Sequence, residues 1–334
     1  MKKALVISLK KMVLVGIICV FFFELVTLGV VEAKDEGYPT KPIQLTVGMV
    51  AGSLVDLNAR AFAKVASKYL EKPLVVLNMP GAAMTVAMNE LVNMPPDGHR
   101  IVLTTSAYQS LTCNMQKIPF DRKLIKPLLG ITKFAGFILV RGDLPYAKFD
   151  DFIAYGRKNP DAINYGHPGR GTELHMMGMA FFRSANIVAV DVPYRGSAES
   201  QEAMLGGHIT SRMGQIAGGM DYIRTGRIKA VVAFTEKRVE ELPDVPTSQE
   251  KGFADLSAFI PQIGIYIHRD TPPDRFSKLH DASKKAVEDP EFAKLLGNMD
   301  LKPVYISPQS YTKNVSQMEG LAIPLLKELK LLVE

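Results

Sequence analysis

The sequence has few cysteines, no tryptophan and no strong excess of one charge. Its 334 residues include two cysteines, Cys19 and Cys113. Only Cys113 lies outside an apolar N-terminal segment, so no intramolecular disulfide can form in the rest of the chain, and the fold depends on a hydrophobic core. The 40 basic and 34 acidic residues give a net charge of +6. This excess is too small and too scattered to indicate a nucleic-acid-binding protein.

The sequence also lacks the motifs of common catalytic sites. It contains no Gly-x-Ser-x-Gly turn and no Gly-x-x-x-x-Gly-Lys-Ser/Thr phosphate loop. Its six histidines show no metal-ligand spacing such as His-Glu-x-x-His. The glycines of residues 166–171 are in the wrong order for a dinucleotide-binding loop. We therefore expect no enzyme activity, no cofactor and no metal. The catalytic alternative is a hydrolase that uses Ser53 or Ser106 with His175.

The N-terminal segment resembles a secretion signal in its composition. Residues 1–11 contain four lysines, and the 20 residues 12–31 are predominantly apolar, with Glu24 as their one charge. Val31 and Ala33 occupy the two positions that a signal peptidase reads. We predict a signal peptide, residues 1–33, that is cleaved to leave a periplasmic protein. An uncleaved membrane anchor is the alternative, because 20 residues can span a bilayer.

The rest of the chain alternates strand-like and helix-like segments. Runs of β-branched and aliphatic residues predict strands at residues 43–50, 73–77, 100–105, 137–140, 163–165, 187–192, 228–234 and 263–267. Helical spacing of apolar residues predicts helices at residues 56–70, 85–93, 148–159, 173–185, 198–205, 274–287, 290–298 and 308–332. This order indicates an α/β protein of two lobes, in which the last third returns to complete the first lobe.

Two glycine-containing segments each connect a predicted strand to a predicted helix. Loop one is Val50-Ala-Gly-Ser-Leu-Val-Asp56, and loop two is Tyr165-Gly-His-Pro-Gly-Arg-Gly-Thr-Glu-Leu-His175. Such a turn directs several backbone N–H groups and the positive end of the helix dipole at one point. Arg170 adds a positive charge to loop two. Because ligands of α/β sheets bind at the carboxyl ends of strands, the two loops indicate a carboxylate receptor rather than an enzyme.

Seven segments, in order, resemble the Bug-type periplasmic solute-binding proteins of tripartite tricarboxylate transporters. They are Tyr38-Pro-Thr-Lys-Pro-Ile43, Ala51-Gly-Ser-Leu-Val-Asp56 with Arg60, Asn78-Met-Pro-Gly-Ala82, Pro96-Asp-Gly98, loop two, Val192-Pro-Tyr-Arg-Gly-Ser197, and Leu242-Pro-Asp-Val-Pro-Thr247 with Glu250 and Gly252. The resemblance implies an α/β, two-lobed periplasmic-binding-protein fold (Venus-flytrap, type II) with a central mixed sheet in each lobe. Lobe 1 would comprise residues 38–136 plus 243–334, and lobe 2 residues 137–242.

The resemblance also implies a function. Members of that family close on a small carboxylate and deliver it to membrane permease subunits, so we expect a monomeric receptor that binds no nucleic acid. Carried onto this chain, the ligand contacts come from Ala51, Gly52, Ser53, Asp56, Gly169, Arg170, Gly171, Thr172 and His175. The chain departs from the family pattern in loop one, where Ser53 replaces a glycine, and at Met79 and Met179, which replace charged residues. These departures make a non-binding paralogue one alternative. A second alternative is a ligand sensor, because the same fold can present its closed form to a signalling partner instead of a permease.

Several of these residues also have a purely structural interpretation. Ser53 and Asp56 have the spacing of a helix capping box. Thr172 can be a helix N-cap, with Glu173 in the first turn. His175 can be a hydrogen-bonded packing residue, and Arg170 can point into solvent. The sequence leaves both interpretations open at each position.

Overall fold

The structure is a computed structural model that describes residues 37–216, 219–299 and 301–333. The chain divides into two parts, Met1–Thr40 and Lys41–Glu334. In the first part only residues 37–40 are described, so the predicted signal peptide lies outside the described residues. Within the described ranges, no helix combines the length and the apolar character needed to cross a membrane.

The second part of the chain contains eleven described strands and nine described α-helices of five or more residues. The strands are β1 (Ile43–Val47), β2 (Leu74–Asn78), β3 (Arg100–Thr105), β4 (Ile125–Lys133), β5 (Gly136–Arg141), β6 (Ile163–His167), β7 (Ala189–Pro193), β8 (Ser211–Gly214), β9 (Ile228–Phe234), β10 (Gln262–His268) and β11 (Pro303–Ile306). The helices are α1 (Leu54–Leu70), α2 (Thr85–Asn93), α3 (Phe149–Lys158), α4 (Glu173–Ser184), α5 (Ser197–Leu205), α6 (Met220–Arg224), α7 (Pro273–Glu288), α8 (Pro290–Gly297) and α9 (Pro308–Glu328).

The strands form two mixed sheets. Sheet one has the order β11-β4-β10-β3-β1-β2, and sheet two has the order β7-β6-β8-β5-β9. In sheet one β1 is parallel to β2 and β3, whereas β10 is antiparallel to β3 and β4. In sheet two β6 is parallel to β7 and β8, whereas β5 is antiparallel to β8 and β9. The predicted α/β architecture with two mixed sheets is confirmed.

The chain crosses between the two sheets twice and contributes one long helix to both cores. It leaves sheet one after β4, enters sheet two at β5, and returns between β9 and β10. In α9, Tyr311 packs in the core of sheet one, with its ring 5.8 Å from that of Tyr266. Further along α9, Met318 and Leu326 belong to the apolar cluster that contains Phe181 and Phe234 of the sheet-two half. The lobe boundaries of the sequence analysis stay a prediction.

Most predicted elements lie close to the observed ones. The helix at Thr85–Asn93 and the strands at Arg100–Thr105 and Ile228–Phe234 have the predicted bounds. The first strand was predicted too long, because it ends at Val47, where Met79 N–H donates to the Val47 carbonyl and the chain turns into loop one. Sequence reasoning missed β4, β8 and β11.

The turn before α2 has a strained backbone. Ala82, Ala83 and Met84 are three consecutive residues with positive φ, at 42°, 46° and 75°. This left-handed region costs roughly 1–2 kcal/mol for a residue with a side chain. The Gln116 amide holds the turn by donating to the Ala82 carbonyl at 2.9 Å and the Thr85 hydroxyl at 2.6 Å. The turn therefore stores strain that contacts from elsewhere maintain.

We expect Ala83→Gly to raise the free energy of unfolding by about 1 kcal/mol, because glycine adopts positive φ without the steric penalty of a Cβ. The Ala83 side chain is exposed, so its removal sacrifices no packing. Ala154, an exposed alanine in α3, is the matched control: Ala154→Gly should lower stability by about 1 kcal/mol. Urea denaturation measures both. Loss of stability in both variants would contradict the strained turn.

Candidate functional site

Loop one is organised by the carboxylate of Asp56. The side chain is 1% exposed. Its Oδ2 accepts from the Gly52 N–H at 2.8 Å and from Arg60 Nε at 3.0 Å, and its Oδ1 accepts from Asn78 Nδ2 at 2.8 Å. Burial acts to raise the pKa of Asp56, but the hydrogen bonds from Arg60, Gly52 and Asn78 together hold this pKa below its ordinary value. Asp56 is thus a charged, hydrogen-bonded brace under the loop.

The first turn of α1 presents backbone donors at the carboxyl end of β1. Ser53 is the N-cap, and its Oγ accepts from the Asp56 N–H at 3.2 Å. The capping interpretation of Ser53 is therefore confirmed. Among the described residues, no acceptor is bonded to the N–H groups of Ala51, Leu54 or Val55. These donors and the positive end of the α1 dipole make loop one receptive to an anion.

Loop two has a similar arrangement at the carboxyl end of β6. Thr172 is the N-cap of α4: its hydroxyl accepts from the His175 N–H at 3.3 Å and donates to the Gly169 carbonyl at 2.8 Å. Gly171 has a φ of 75°, and its N–H donates to His175 Nδ1 at 3.0 Å. The histidine thereby fixes the shape of the loop. The N–H groups of Arg170 and Leu174 have no bonded acceptor in the described part of the chain.

Arg170 is paired within the protein. Its Nη2 lies 3.2 Å from Asp191 Oδ2, and its side chain is 53% exposed. Asp191 is in β7, opposite Tyr165 in the parallel pairing with β6. The cation that the sequence suggested for a ligand is therefore largely balanced by a neighbouring carboxylate.

Two buried histidines lie beside the same carboxylate. His167 and His175 are both 0% exposed, and their rings stack with centroids 4.2 Å apart. Their Nε2 atoms lie 3.5 and 3.7 Å from Asp191 Oδ2. Burial lowers the pKa of both rings; for His175 the neighbouring His167 contributes further, and its pKa falls to about 4. Both histidines are neutral at pH 7.

Among the described residues, His167, His175 and Asp191 are the one group of three or more metal-ligating side chains whose ligand atoms all lie within 4.8 Å of one another. The hydrogen bond that His175 accepts opposes a metal ion at that ring. Because Gly171 N–H donates to His175 Nδ1, the neutral ring carries its proton on Nε2, the atom that would have to bind the ion. The guanidinium of Arg170 also lies beside Asp191, the one carboxylate of this group, and its positive charge would repel a metal ion there. The spacing of residues in the sequence did not predict this group, because Asp191 reaches the histidines through the pairing of β6 with β7 and not through a local motif.

We expect acid to destabilise the protein through His175. The unfolded ring takes up a proton near pH 6.5, whereas the folded ring does so only near pH 4. The unfolded state therefore binds more protons between these values, and the free energy of unfolding falls as the pH is lowered through this window. At pH 5.0 the contribution is about 2 kcal/mol.

Urea denaturation at pH 7.5 and pH 5.0 measures this effect. His175→Asn is the matched variant, because its amide oxygen can accept the Gly171 N–H without titrating. The variant should lose distinctly less stability than the wild type between the two pH values. An equal loss in both proteins would show that His175 is not the source.

A continuous series of contacts joins the two loops. Asn78, which bonds Asp56 of loop one, ends β2 four residues before the strained turn, and Gln116 bonds that turn at Ala82. The neighbouring Met115 side chain occupies the space that a Cβ on Gly171 would need. The sheet-one and sheet-two halves also meet where Glu173 of α4 accepts from the Ala107 N–H at 3.2 Å. Loop one and loop two therefore border the same region between the halves.

The two mixed sheets of this α/β chain have the fold of the periplasmic solute-binding proteins. The family profile described as tripartite tricarboxylate transporter family receptor (TctC) matches residues 58–331. The chain belongs to this family. A similar curated protein, the UPF0065 protein in the gbd 5′ region of Cupriavidus necator, is 30% identical over 289 residues, covering 84% of this chain and 85% of the relative.

Solved structures show the same fold. A TctC solute-binding protein from Polaromonas superposes with a TM-score of 0.76 at 24% identity, covering 86% of this chain and 100% of that one. MatC from Rhodopseudomonas palustris, solved with bound malate, has a TM-score of 0.66 at 23% identity, with 85% and 99% coverage. A second R. palustris protein, solved with adipate, has a TM-score of 0.71 at 21% identity, with 87% and 98% coverage. The expected periplasmic-binding-protein fold is confirmed, and receptors of this family are periplasmic.

Proposed function

We propose that this chain binds a small carboxylate between loop one and loop two and delivers it to a permease of the tripartite tricarboxylate type. The observation that carries the proposal is the pair of capped helix N-termini. Ser53 caps α1 and Thr172 caps α4, each at the carboxyl end of a parallel strand. Two helix dipoles and their first-turn N–H groups suit a carboxylate. The malate and adipate bound by two proteins of similar fold support the same ligand class.

The nine residues predicted from the sequence have distinct roles in this proposal. Donors to the ligand come from the backbone of loop one around Ala51 and Leu54, and from loop two around Arg170. Asp56, Gly52, Gly169, Gly171 and His175 shape the loops, because their polar groups are already bonded within the loops. The hydroxyls of Ser53 and Thr172 hold the first turns and lie beside the ligand. A hydrogen bond to a charged group contributes roughly 1.5–3 kcal/mol, so two or three of them supply about 3–9 kcal/mol before the cost of closure, an affinity no tighter than about micromolar.

Closure of the two lobes supplies the signal to the permease. The lobes of this proposal are residues 38–136 plus 243–334 and residues 137–242, with hinges near residues 134–139 and 235–246. A ligand that contacts both loops stabilises the closed state, because the open state offers only one of them. The mature receptor acts in the periplasm as a monomer after cleavage of residues 1–33, and it performs no catalysis.

A thermal-shift screen of the protein purified from the periplasm tests the proposal. The compounds are mono-, di- and tricarboxylates, each paired with its neutral primary amide. A subset of acids should raise the melting temperature while the paired amides leave it unchanged, because a ligand that binds only the folded state stabilises it. The proposal that this chain is a carboxylate receptor is wrong if no acid raises the melting temperature, or if the amides raise it as much as the acids do.

A further inference from the structure

Arg212 in β8 is a buried cation whose charge no described residue balances. The residue is 2% exposed. The one hydrogen bond from its side chain to a described residue runs from Nη1 to Gln201 Oε1 at 2.6 Å, and Nε is buried without a partner. No carboxylate among the described residues forms an ion pair with it. Burial alone lowers the pKa of the guanidinium to about 10, so the group stays charged at neutral pH.

A charge in this position is costly unless an anion accompanies it. Two half-exposed arginines at the loops have such a partner, since Arg60 pairs with Asp56 and Arg170 with Asp191. Residues 217 and 218, which follow β8 and are not described, are alanine and glycine, and neither side chain carries a charge. Arg212 therefore lacks the counter-charge that its neighbours have.

The guanidinium reaches toward the edge of sheet two from which loop two departs. Arg212 lies opposite Gly166 in the parallel pairing of β6 and β8. Its side chain extends along β8 over Gly214, where any Cβ would overlap the guanidinium nitrogens. The charge is thus held at the carboxyl end of the strand beside loop two, where ligands of such sheets bind.

We propose that Arg212 binds a second acid group of the ligand and makes this receptor selective for dicarboxylates over monocarboxylates. The inference rests on the proposed function, in which the first carboxylate occupies the two loops. A guanidinium presents several N–H donors in a planar fork that matches a carboxylate. Gln201, which holds Nη1, orients the fork. The sequence analysis named Arg170 as the cationic ligand contact, but Asp191 pairs with that residue.

Calorimetric titration with acids matched in chain length tests the proposal: succinate against butyrate, glutarate against pentanoate, and adipate against hexanoate. The wild-type protein should bind the diacid of at least one pair tenfold or more tightly than its monoacid. Arg212→Met, which keeps the length of the side chain but not its charge, should bring the two acids within about twofold by weakening the diacid alone. Arg212→Lys should retain part of the preference.

The melting temperature of the ligand-free protein separates this role from a structural one. If Arg212 is unbalanced, Arg212→Met leaves the melting temperature unchanged or raises it, because a buried charge is removed. A lower melting temperature together with equal weakening of both acids would overturn the proposal. Equal binding of diacids and monoacids by the wild type would also overturn it, while leaving the carboxylate receptor intact. Failure of every acid to bind the wild type would refute the proposed function itself.

Discussion

Gly171→Val should weaken carboxylate binding by about 100-fold, or about 3 kcal/mol, while the protein stays folded. Gly171 has a φ of 75°, which a β-branched residue rarely adopts. Its missing Cβ also makes room for the Met115 side chain. Valine must therefore rotate the backbone of loop two, and this rotation moves the Gly171 N–H away from His175 and misdirects the first turn of α4. Isothermal titration with an acid that stabilises the wild type measures the effect.

Two variants separate this backbone effect from a general effect of valine. Gly297 ends α8 and has ordinary φ and open space around it, so Gly297→Val should leave affinity unchanged. Combining Gly171→Val with Met115→Ala removes the steric overlap but not the strain, so affinity should recover only in part. If Gly171→Val bound the acid as tightly as the wild type, loop two would not be part of the binding site.

Asp56→Ala should lower the free energy of unfolding by about 3 kcal/mol. The substitution leaves three donors without their acceptor, the Gly52 N–H, Asn78 Nδ2 and Arg60 Nε, and each unsatisfied group that stays buried costs roughly 1–3 kcal/mol. Loop one then loses its brace, so carboxylate affinity should fall as well. Urea denaturation and titration of the same sample measure the two losses.

The hydrogen bonds within the loop, rather than the ion pair, account for most of this effect. Arg60 is 51% exposed, and an exposed ion pair contributes roughly 0–1 kcal/mol. Arg60→Ala should therefore cost less than 1 kcal/mol. Ser53→Ala, which removes the N-cap acceptor, should cost about 1 kcal/mol. If Arg60→Ala destabilised the protein as much as Asp56→Ala, the carboxylate would act mainly as a counter-ion.

Many strands and helices were predictable because their signals are local. The strands β1, β3 and β9 are runs of β-branched and aliphatic residues, and helices such as α1 and α3 show the spacing of one apolar face. Ser53 and Thr172 could be predicted as helix caps from the sequence, because a capping residue bonds to a backbone N–H within one helical turn. The structure confirms both caps.

The missed elements depend on contacts between distant parts of the chain. The strand β4 contains Pro127 and Gly130, which argue against a strand in isolation. Gly130 is needed there because the Tyr311 ring of α9, far along the chain, packs against its backbone. The strand β8 has four residues, too few to show a period, and includes a charged arginine. Tertiary packing overrides local propensity in both cases.

The ion pairs of the site could not be predicted from the sequence, because they too depend on contacts between distant parts of the chain. Arg170 looked available because nothing near it in the sequence is its partner, yet the β6–β7 register supplies Asp191. Arg212 looked like one basic residue among 40, and only its burial without a carboxylate distinguishes it.

The substitution Leu54→Pro tests most directly whether backbone N–H groups at a helix N-terminus bind the ligand. Leu54 is the first residue of α1, where proline fits the helix but lacks the N–H. Ser53 before it has a φ of −66° and a ψ of 157°, a conformation that proline permits. In isothermal titration, Leu54→Pro should bind the acid at least tenfold more weakly than Leu54→Ala, which keeps the N–H. Equal affinity of the two variants would contradict the account, because the ligand would then not depend on this donor.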